Sequence, residues 1–302
     1  MSTVLRKFHD VEEKKNKVVK ERAVVLISCP ENPEVISAVV NCFVYNQAKI
    51  IEMGQHTTNY EDGMLFVRFE VELDSSEKHL VGFKEDLDAL AVKYHMNWKL
   101  ETKKERKRMA VFVSKMDQHV LELIYRTKNK EIQAEIVMVI SNHPDLRESV
   151  EQHGIPFYYI PISKETKAEA EKQALQLIEG KVDFIVLARY MQIISPEFIS
   201  HYENKIINIH HSFLPAFVGA RPYDRAYERG VKFIGATAHY VTNDLDAGPI
   251  IQQDVQRVTH RHTAKDLKVI GSHIEKDVLA QAVSWHVEDR VIVHNNKTII
   301  FS

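Results

Sequence analysis

Two α/β domains in tandem are the fold that this sequence predicts, on three observations. The chain has 302 residues, more than one average domain needs. Its first hundred residues order their apolar segments as βαββαβ. From residue 109 onward, short apolar runs alternate with helical stretches, a pattern typical of a parallel sheet covered on both faces. We therefore expect a ferredoxin-like N-terminal domain followed by a Rossmann-like domain with a mostly parallel sheet.

The first domain is expected at residues 23–102, after an N-terminal extension at 1–22. Apolar and charged residues alternate along 64–73, which predicts a half-exposed antiparallel strand. The order βαββαβ predicts a four-stranded sheet with two helices on one face. The segments are strands at 23–30, 49–58, 64–73 and 97–102, with helices from Asn32-Pro33 to 43 and at 75–95.

The second domain is expected at 109–302, after a solvated linker, KKERKR, at 103–108. Its continuous apolar runs are typical of buried parallel strands, whose carboxyl ends form ligand sites. The predicted strands are 109–115, 135–141, 157–162, 184–191, 205–211 and a final strand at 291–301, separated by helices at 118–129, 145–153, 164–181, 196–204 and 263–288.

Composition excludes several classes of protein. Apolar residues make up 44% and charged residues 27%, and the net charge is −2, so nothing favours a nucleic-acid partner. No apolar run approaches the roughly 18 residues needed to cross a bilayer, and the charged N-terminus lacks the apolar centre of a secretory signal. A cytoplasmic chain with no membrane partner is expected. No GxGxxG, GxxxxGK[ST], HExxH or CxxC motif is present, so no dinucleotide, P-loop or zinc site is expected.

Asn208, His210 and Asp246 are the candidate catalytic residues. Asn208 and His210 are two positions apart on a predicted strand, so their side chains point to one face. Asp246 follows another strand-like run. An amide donor, an imidazole and a carboxylate can together perform carbonyl chemistry without a metal. Taken singly, Asn208 could merely bond a loop and His210 could be a buried structural imidazole.

Four neighbouring polar residues have alternative interpretations. His211 is expected on the opposite strand face in a structural role, whereas His239 faces the same loop and is either a partner of Asp246 or structural. Asp244 and Asp246 could form a paired-carboxylate metal site, but further ligands at useful spacing are lacking, so no metal is expected. Ser212 lacks a GxSxG elbow and is interpreted as a turn residue.

Three segments carry a resemblance to a known family. LARYMQIISP (187–196), NIHHSFLPAF (208–217) and AHYVTNDLDAGPII (238–251) resemble the folate-dependent formyltransferases. The doubled histidine and the preceding ACT-like domain resemble one branch, the formyltetrahydrofolate deformylases, over about residues 23–301.

This resemblance implies a hydrolase that converts 10-formyltetrahydrofolate to formate and tetrahydrofolate without a cofactor. Asn208 would stabilise the oxyanion, while His210 and Asp246 activate water. Asp246 is expected to handle the water by orienting it, taking its proton or fixing the tautomer of His210. The implied folate-binding residues are Arg189, Met191, Ile193, His239, Leu245 and Gly248, although from the sequence alone core packing is the better interpretation of Met191.

Two absences favour water as the formyl acceptor. Residues 114–123, after the first strand of the second domain, contain no glycine and so offer no phosphate-binding turn. The chain ends soon after residue 301, so a tRNA-binding domain is not expected. Two alternatives stay open: a formyltransferase acting on an unphosphorylated amine, and a folate- or amino-acid-responsive binding protein with little catalytic activity.

The ACT-like domain departs from its family at the effector site. Glu34 stands where the family carries glycine after Pro33, and the glycine before the second strand is replaced in Gln47-Ala48-Lys49-Ile50. Both changes crowd or recharge the site. We expect the domain to serve dimerisation or to bind a different amino-acid effector, within a homo-oligomer, either a dimer or a tetramer.

Overall fold

The computed structural model describes residues 20–59, 63–102, 105–214 and 222–301, and the chain forms two compact units, residues 1–104 and 105–302. Residues 1–19 of the expected extension and 103–104 of the expected linker lie outside the described residues. The first strand begins at Lys20 rather than at residue 23, and the first strand of the second unit begins at Lys107, inside the expected linker.

The N-terminal unit has the predicted βαββαβ order. Its four strands form one antiparallel sheet in the order β2-β3-β1-β4. Val39 and Phe43 of α1 and Leu87 of α2 are buried in its core. The elements are β1 (Lys20–Pro30), α1 (Glu34–Tyr45), β2 (Lys49–Thr57), β3 (Met64–Asp74), α2 (Glu77–Tyr94) and β4 (Asn97–Thr102).

The prediction that β3 is half-exposed was wrong. Alternate residues such as Val67 and Phe69 belong to the core, as predicted, but Arg68 and Glu70 on the other face are only 2% and 7% exposed. Arg68 lies 3.3 Å from Glu70 and 3.1 Å from Glu52. Charged residues tolerate burial when they compensate one another, so charge alternation along β3 did not mark a solvated face.

The C-terminal unit alternates strands and helices. Buried apolar clusters lie on both faces of its central strands, one beneath α3, α7 and α8 and the other beneath α5 and α6. The elements are β5 (Lys107–Val113), α3 (Gln118–Lys128), β6 (Ala134–Ser141), α4 (Arg147–Glu151), β7 (Phe157–Tyr159), α5 (Lys167–Ile178), β8 (Phe184–Leu187), α6 (Pro196–His201), β9 (Ile206–His210), α7 (Pro222–Arg229), β10 (Phe233–Tyr240), β11 (Ile250–Arg257), α8 (Ala264–Val287), β12 (Val291–His294) and β13 (Lys297–Ile300).

The seven-stranded sheet has the order β11-β10-β9-β8-β5-β6-β7. Strands β7, β6, β5, β8 and β9 are parallel, and β10 and β11 are antiparallel to their neighbours, so the mostly parallel sheet was predicted correctly. From β5 the chain first builds outward through β6 and β7 and then returns to add β8 on the other side. The point at which the order reverses therefore lies between β5 and β8.

Three predicted strands differ in the structure. The strand at 157–162 ends at Tyr159. The strand at 184–191 ends at Leu187, and residues 188–195 form a loop. The final strand at 291–301 is a hairpin, because Asn295 turns the chain with φ of 53°, a conformation that asparagine tolerates. Among the described residues, no helix is long and apolar enough to span a bilayer.

Candidate active site

Asn208, His210 and Asp246 come together in the C-terminal unit. Ile207 and Ile209 of β9 point into the cluster beneath α8, so Asn208 and His210 face the other side of the sheet, as their spacing predicted. Asp246 reaches them from residues 241–249, the connection between β10 and β11. Its Oδ2 lies 3.1 Å from His210 Nδ1, and the side chain is only 14% exposed. The arrangement pairs a half-enclosed carboxylate with a buried imidazole.

His239 links the amide to the carboxylate. It lies directly opposite Asn208 in the β9–β10 register, with Nε2 3.2 Å from Asn208 Nδ2 and 3.6 Å from Asp246 Oδ1. Its Nδ1 lies 2.9 Å from the carbonyl oxygen of Tyr240. Because a carbonyl only accepts, this Nδ1 carries a hydrogen, and in the uncharged form of the ring Nε2 accepts from the Asn208 amide. His239 therefore fixes which way the amide of Asn208 points.

The backbone and the electrostatics of Asp246 are both unusual. Asp246 adopts φ of 54°, in the left-handed region that few non-glycine residues occupy. The hydrogen bond with His210 holds the pKa of the Asp246 carboxyl well below its usual range. Asp246 therefore remains a carboxylate at neutral pH and is a weak base. Its role in the geometry is to orient His210 and to stabilise positive charge on that ring.

Gly248 packs against the backbone that orients His239. A Cβ on Gly248 would lie 1.8 Å from the carbonyl oxygen of Tyr240, which accepts the hydrogen bond from His239. The buried backbone of Gly248 therefore packs directly against the group that orients His239. This close approach explains why the Asp-Ala-Gly segment ends in glycine.

The expected folate-binding side chains occupy two loops. Met191 and Ile193, in the loop after β8, are 63% and 61% exposed, and Leu245 in the 241–249 connection is 61% exposed. At this exposure the three side chains lie outside the core and are accessible to a ligand. Core packing, the alternative for Met191, does not apply to the structure.

Ser114 and Asn142 anchor the loop after β8 and were missed from the sequence. Ser114 Oγ accepts a hydrogen bond from the backbone N–H of Met191 at 3.1 Å and donates one to Asn142 Oδ1 at 2.7 Å. Both residues are buried and follow the ends of adjacent parallel strands, β5 and β6. That placement was the available signal, since the carboxyl ends of such strands meet at one edge.

Arg189 lies beside α8, and His211 directly follows the end of β9. Arg189, with φ of 61°, directs its guanidinium toward Glu275 of α8 at 3.6 Å. His211 stacks on His210 with ring centroids 5.0 Å apart and planes 15° apart. The ring of His211 lies 6.4 Å from that of Tyr223, which belongs to the cluster beneath α8 on the face opposite Asn208. Burial, reinforced by the charge of Arg189, lowers the pKa of His211 to about 4, so this ring is neutral at physiological pH.

Ser212 and Asp244, the remaining candidates, do not join the catalytic cluster. Ser212 is buried, and its carbonyl accepts a hydrogen bond from Thr237 Oγ1 at 2.9 Å, which is consistent with a turn residue. Asp244 is exposed. Within the described ranges, no group of three or more His, Cys, Asp or Glu side chains is arranged to hold a metal ion.

Comparison with known proteins gives a consistent result. The formyl transferase family model matches residues 107–283. The formyltetrahydrofolate deformylase of Bacillus subtilis (strain 168) is 50% identical over 100% of this chain and 99% of its own length. The crystal structure of a formyltetrahydrofolate deformylase from Pseudomonas syringae pv. tomato matches with a TM-score of 0.89 and 41% identity, covering 95% of this chain and 96% of that one.

A second kind of relative matches a smaller part of the chain. Glycinamide ribonucleotide transformylase 1 from Symbiobacterium toebii has 26% identity and a TM-score of 0.62, covering 67% of this chain and 97% of that one. The deformylases, by contrast, match nearly the whole length of both chains. This chain therefore belongs to the formyltetrahydrofolate deformylase family, within the formyl transferases.

Proposed function

We propose that this protein hydrolyses 10-formyltetrahydrofolate to formate and tetrahydrofolate. The observation that carries the proposal is the convergence of Asn208, His210 and Asp246 on one side of the sheet, in a chain that matches deformylases over nearly its full length. By this reaction the enzyme would supply formate for purine synthesis and balance the one-carbon folate pools.

His210 is the general base in the proposed mechanism. Its Nδ1 is taken by the contact with Asp246, and its Nε2 is buried without a hydrogen-bond partner among the described residues. That nitrogen can take a proton from water as the water oxygen attacks the formyl carbon. Asp246, whose pKa is held low, stabilises the imidazolium that forms. In this scheme Asp246 contacts His210 and does not itself deprotonate the water.

Asn208 stabilises the oxyanion in this scheme. One hydrogen of its Nδ2 is directed to His239 Nε2, and the second is free to donate to the formyl oxygen as negative charge develops there. One such donor is typically worth about 3 kcal/mol of barrier. When the intermediate collapses, the bond from carbon to N10 breaks and N10 takes the proton held by His210. Formate and tetrahydrofolate are then released.

An acceptor-free assay tests the proposal. Purified protein is incubated with 10-formyltetrahydrofolate alone, and formate is measured with formate dehydrogenase. Steady formate release at a rate proportional to enzyme is expected. Turnover that requires an added amine would instead indicate a transferase, and folate binding without turnover would indicate a binding protein.

We also propose that the N-terminal unit is an ACT domain used mainly for dimerisation, in a cytoplasmic homo-oligomer. Its sheet order, β2-β3-β1-β4 with two helices, supports the ACT assignment. The turn before α1 is occupied by its own polar groups: Glu31 accepts from Thr57 at 3.0 Å, and Asn32 accepts from the backbone of Glu34 at 2.9 Å. Titration calorimetry with glycine, methionine and other amino acids, combined with light scattering, tests this. Micromolar binding of any amino acid would contradict the loss of effector binding, and a monomer would contradict dimerisation.

A further inference from the structure

The crevice between the carboxyl ends of β5 and β8 is the natural place for a second substrate. In α/β sheets, ligands bind where the strand order reverses, and in this sheet the reversal lies between β5 and β8. The loop after β5 carries Met116 and the loop after β8 carries Arg189. The transformylase that matches this unit is named for glycinamide ribonucleotide, so the fold accommodates an acceptor larger than water.

In this chain, Arg189 fills that crevice. One terminal nitrogen lies 3.9 Å from the sulfur of Met116 on the opposite loop, the other lies 3.6 Å from Glu275, and the side chain is only 16% exposed. Arg189 also has φ of 61°. A left-handed arginine persists only where its surroundings hold it, and such strain is concentrated at functional sites. The guanidinium is held by the ion pair with Glu275, while its Nε and Nη1 are buried without a hydrogen-bond partner among the described residues.

Glu275 is already satisfied by the protein. Its carboxylate is 3% exposed, accepts a hydrogen bond from the Tyr223 hydroxyl at 2.6 Å and lies 3.0 Å from His119 Nε2. Burial opposes ionisation, but His119 and Arg189 outweigh it and hold the pKa of Glu275 below its usual range. Gly271 makes room for this network, because a Cβ there would lie 2.0 Å from the Tyr223 hydroxyl. No carboxylate in this network is left to bind an incoming amine.

The network also adjoins the catalytic histidine. His211 stacks on His210 on one side and lies 6.4 Å from the ring of Tyr223, measured between centroids. The charge of Arg189 helps to keep His211 neutral. Glu275 is thus connected to His210 through two residues, Tyr223 and His211, and an acceptor held in the crevice would be close to the formyl group.

We propose that Arg189, held by Glu275, is a specificity-determining residue that occupies the acceptor crevice and so confines the nucleophile to water. The proposal rests on the hydrolytic function proposed above. In the excluded reaction, the nitrogen of an amine would attack the formyl carbon and pass a proton to His210. The bond to N10 would break, N10 would take a proton, and the formylated amine would leave in place of formate.

Product partition tests this inference. The variant Arg189→Gly empties the crevice and suits φ of 61°, so its backbone conformation is retained. Arg189→Met keeps the volume and removes the charge, and Arg147→Ala, at a surface ion pair of the same unit, is the matched control. Each protein receives 10-formyltetrahydrofolate with 50 to 100 mM glycinamide, and formate and formylglycinamide are quantified by mass spectrometry.

Arg189→Gly is expected to raise the ratio of formylglycinamide to formate at least tenfold, whereas Arg189→Met and Arg147→Ala keep the wild-type ratio. Met116→Ala widens the same crevice from its half-exposed wall and is expected to raise the ratio by a smaller factor, so the test holds even if Arg189→Gly does not fold. Formate as the sole product of both widened variants, with folate affinity unchanged, would overturn the inference. Formate release by the wild-type protein without amine is measured in a separate assay, and that assay tests only the hydrolytic function.

Discussion

Asp246→Asn tests the contribution of the carboxylate's negative charge to catalysis, because it removes the charge and keeps the shape of the side chain. The substitution keeps the size of the side chain and the left-handed backbone, which asparagine tolerates as well as aspartate does. It removes the negative charge that lies 3.1 Å from His210 Nδ1. At that separation and an effective dielectric constant of about 20, the lost attraction for an imidazolium is about 5 kcal/mol.

The expected consequence is a fall in kcat of about 10³- to 10⁴-fold, because the imidazolium forms as water is deprotonated. Folate binding should change little, since the exposed side chains of Met191, Ile193 and Leu245 are untouched. The assay measures formate release together with the Kd for tetrahydrofolate, obtained by fluorescence titration. Asp244→Asn, an exposed residue of the same connection, is the matched control and should stay within about twofold of wild type. A kcat for Asp246→Asn within tenfold of wild type would refute the role assigned to the charge.

Three further predictions concern the support of the site. Gly248→Ala places a methyl group 1.8 Å from the Tyr240 carbonyl oxygen, so the free energy of unfolding should fall by about 1–3 kcal/mol in thermal denaturation. Activity should also fall, because His239 is displaced. An unchanged Tm would contradict the close approach. Tyr223→Phe removes the 2.6 Å hydrogen bond to buried Glu275 and should lower the free energy of unfolding by about 1–3 kcal/mol in urea. An unchanged free energy would show that His119 and Arg189 satisfy the carboxylate without the tyrosine. The pKa of His211 is about 4 in the folded state and 6.5 in the unfolded state, so the unfolded state binds more protons between these pH values. The free energy of unfolding should therefore fall by about 3 kcal/mol as the pH drops from 6.5 to 4. His211→Gln should abolish that part of the pH dependence measured by urea titration, and an unaltered slope would assign it to other groups.

The sequence predicted the direction of a side chain correctly where that direction follows from the regular period of a strand. The two-residue spacing of Asn208 and His210 predicted a shared face, because β9 is regular at that point. Asp246 was less accessible to such reasoning. It approaches from the connection between two antiparallel strands rather than from the carboxyl end of a parallel one, and its direction depends on φ of 54°.

Other features depended on contacts between distant segments. Arg189 lies within an apolar run that was predicted as one strand, and only the end of β8 at Leu187 releases it toward α8. Glu275 is 86 positions further along, on a helix whose apolar pattern gave no sign of a buried carboxylate with a histidine and a tyrosine around it. Side-chain pairing across such distances has no periodic signature in a single sequence.

The contact between Gly271 and Tyr223 has a consequence for how this protein can evolve. Any side chain at 271 would collide with the tyrosine ring, and a smaller residue at 223 would leave Glu275 without its shortest hydrogen bond. Mutations at these three positions are therefore strongly epistatic, each being acceptable only in the company of another. Across related sequences they should covary as one inherited set, and a laboratory search for new acceptors should change them together rather than one at a time.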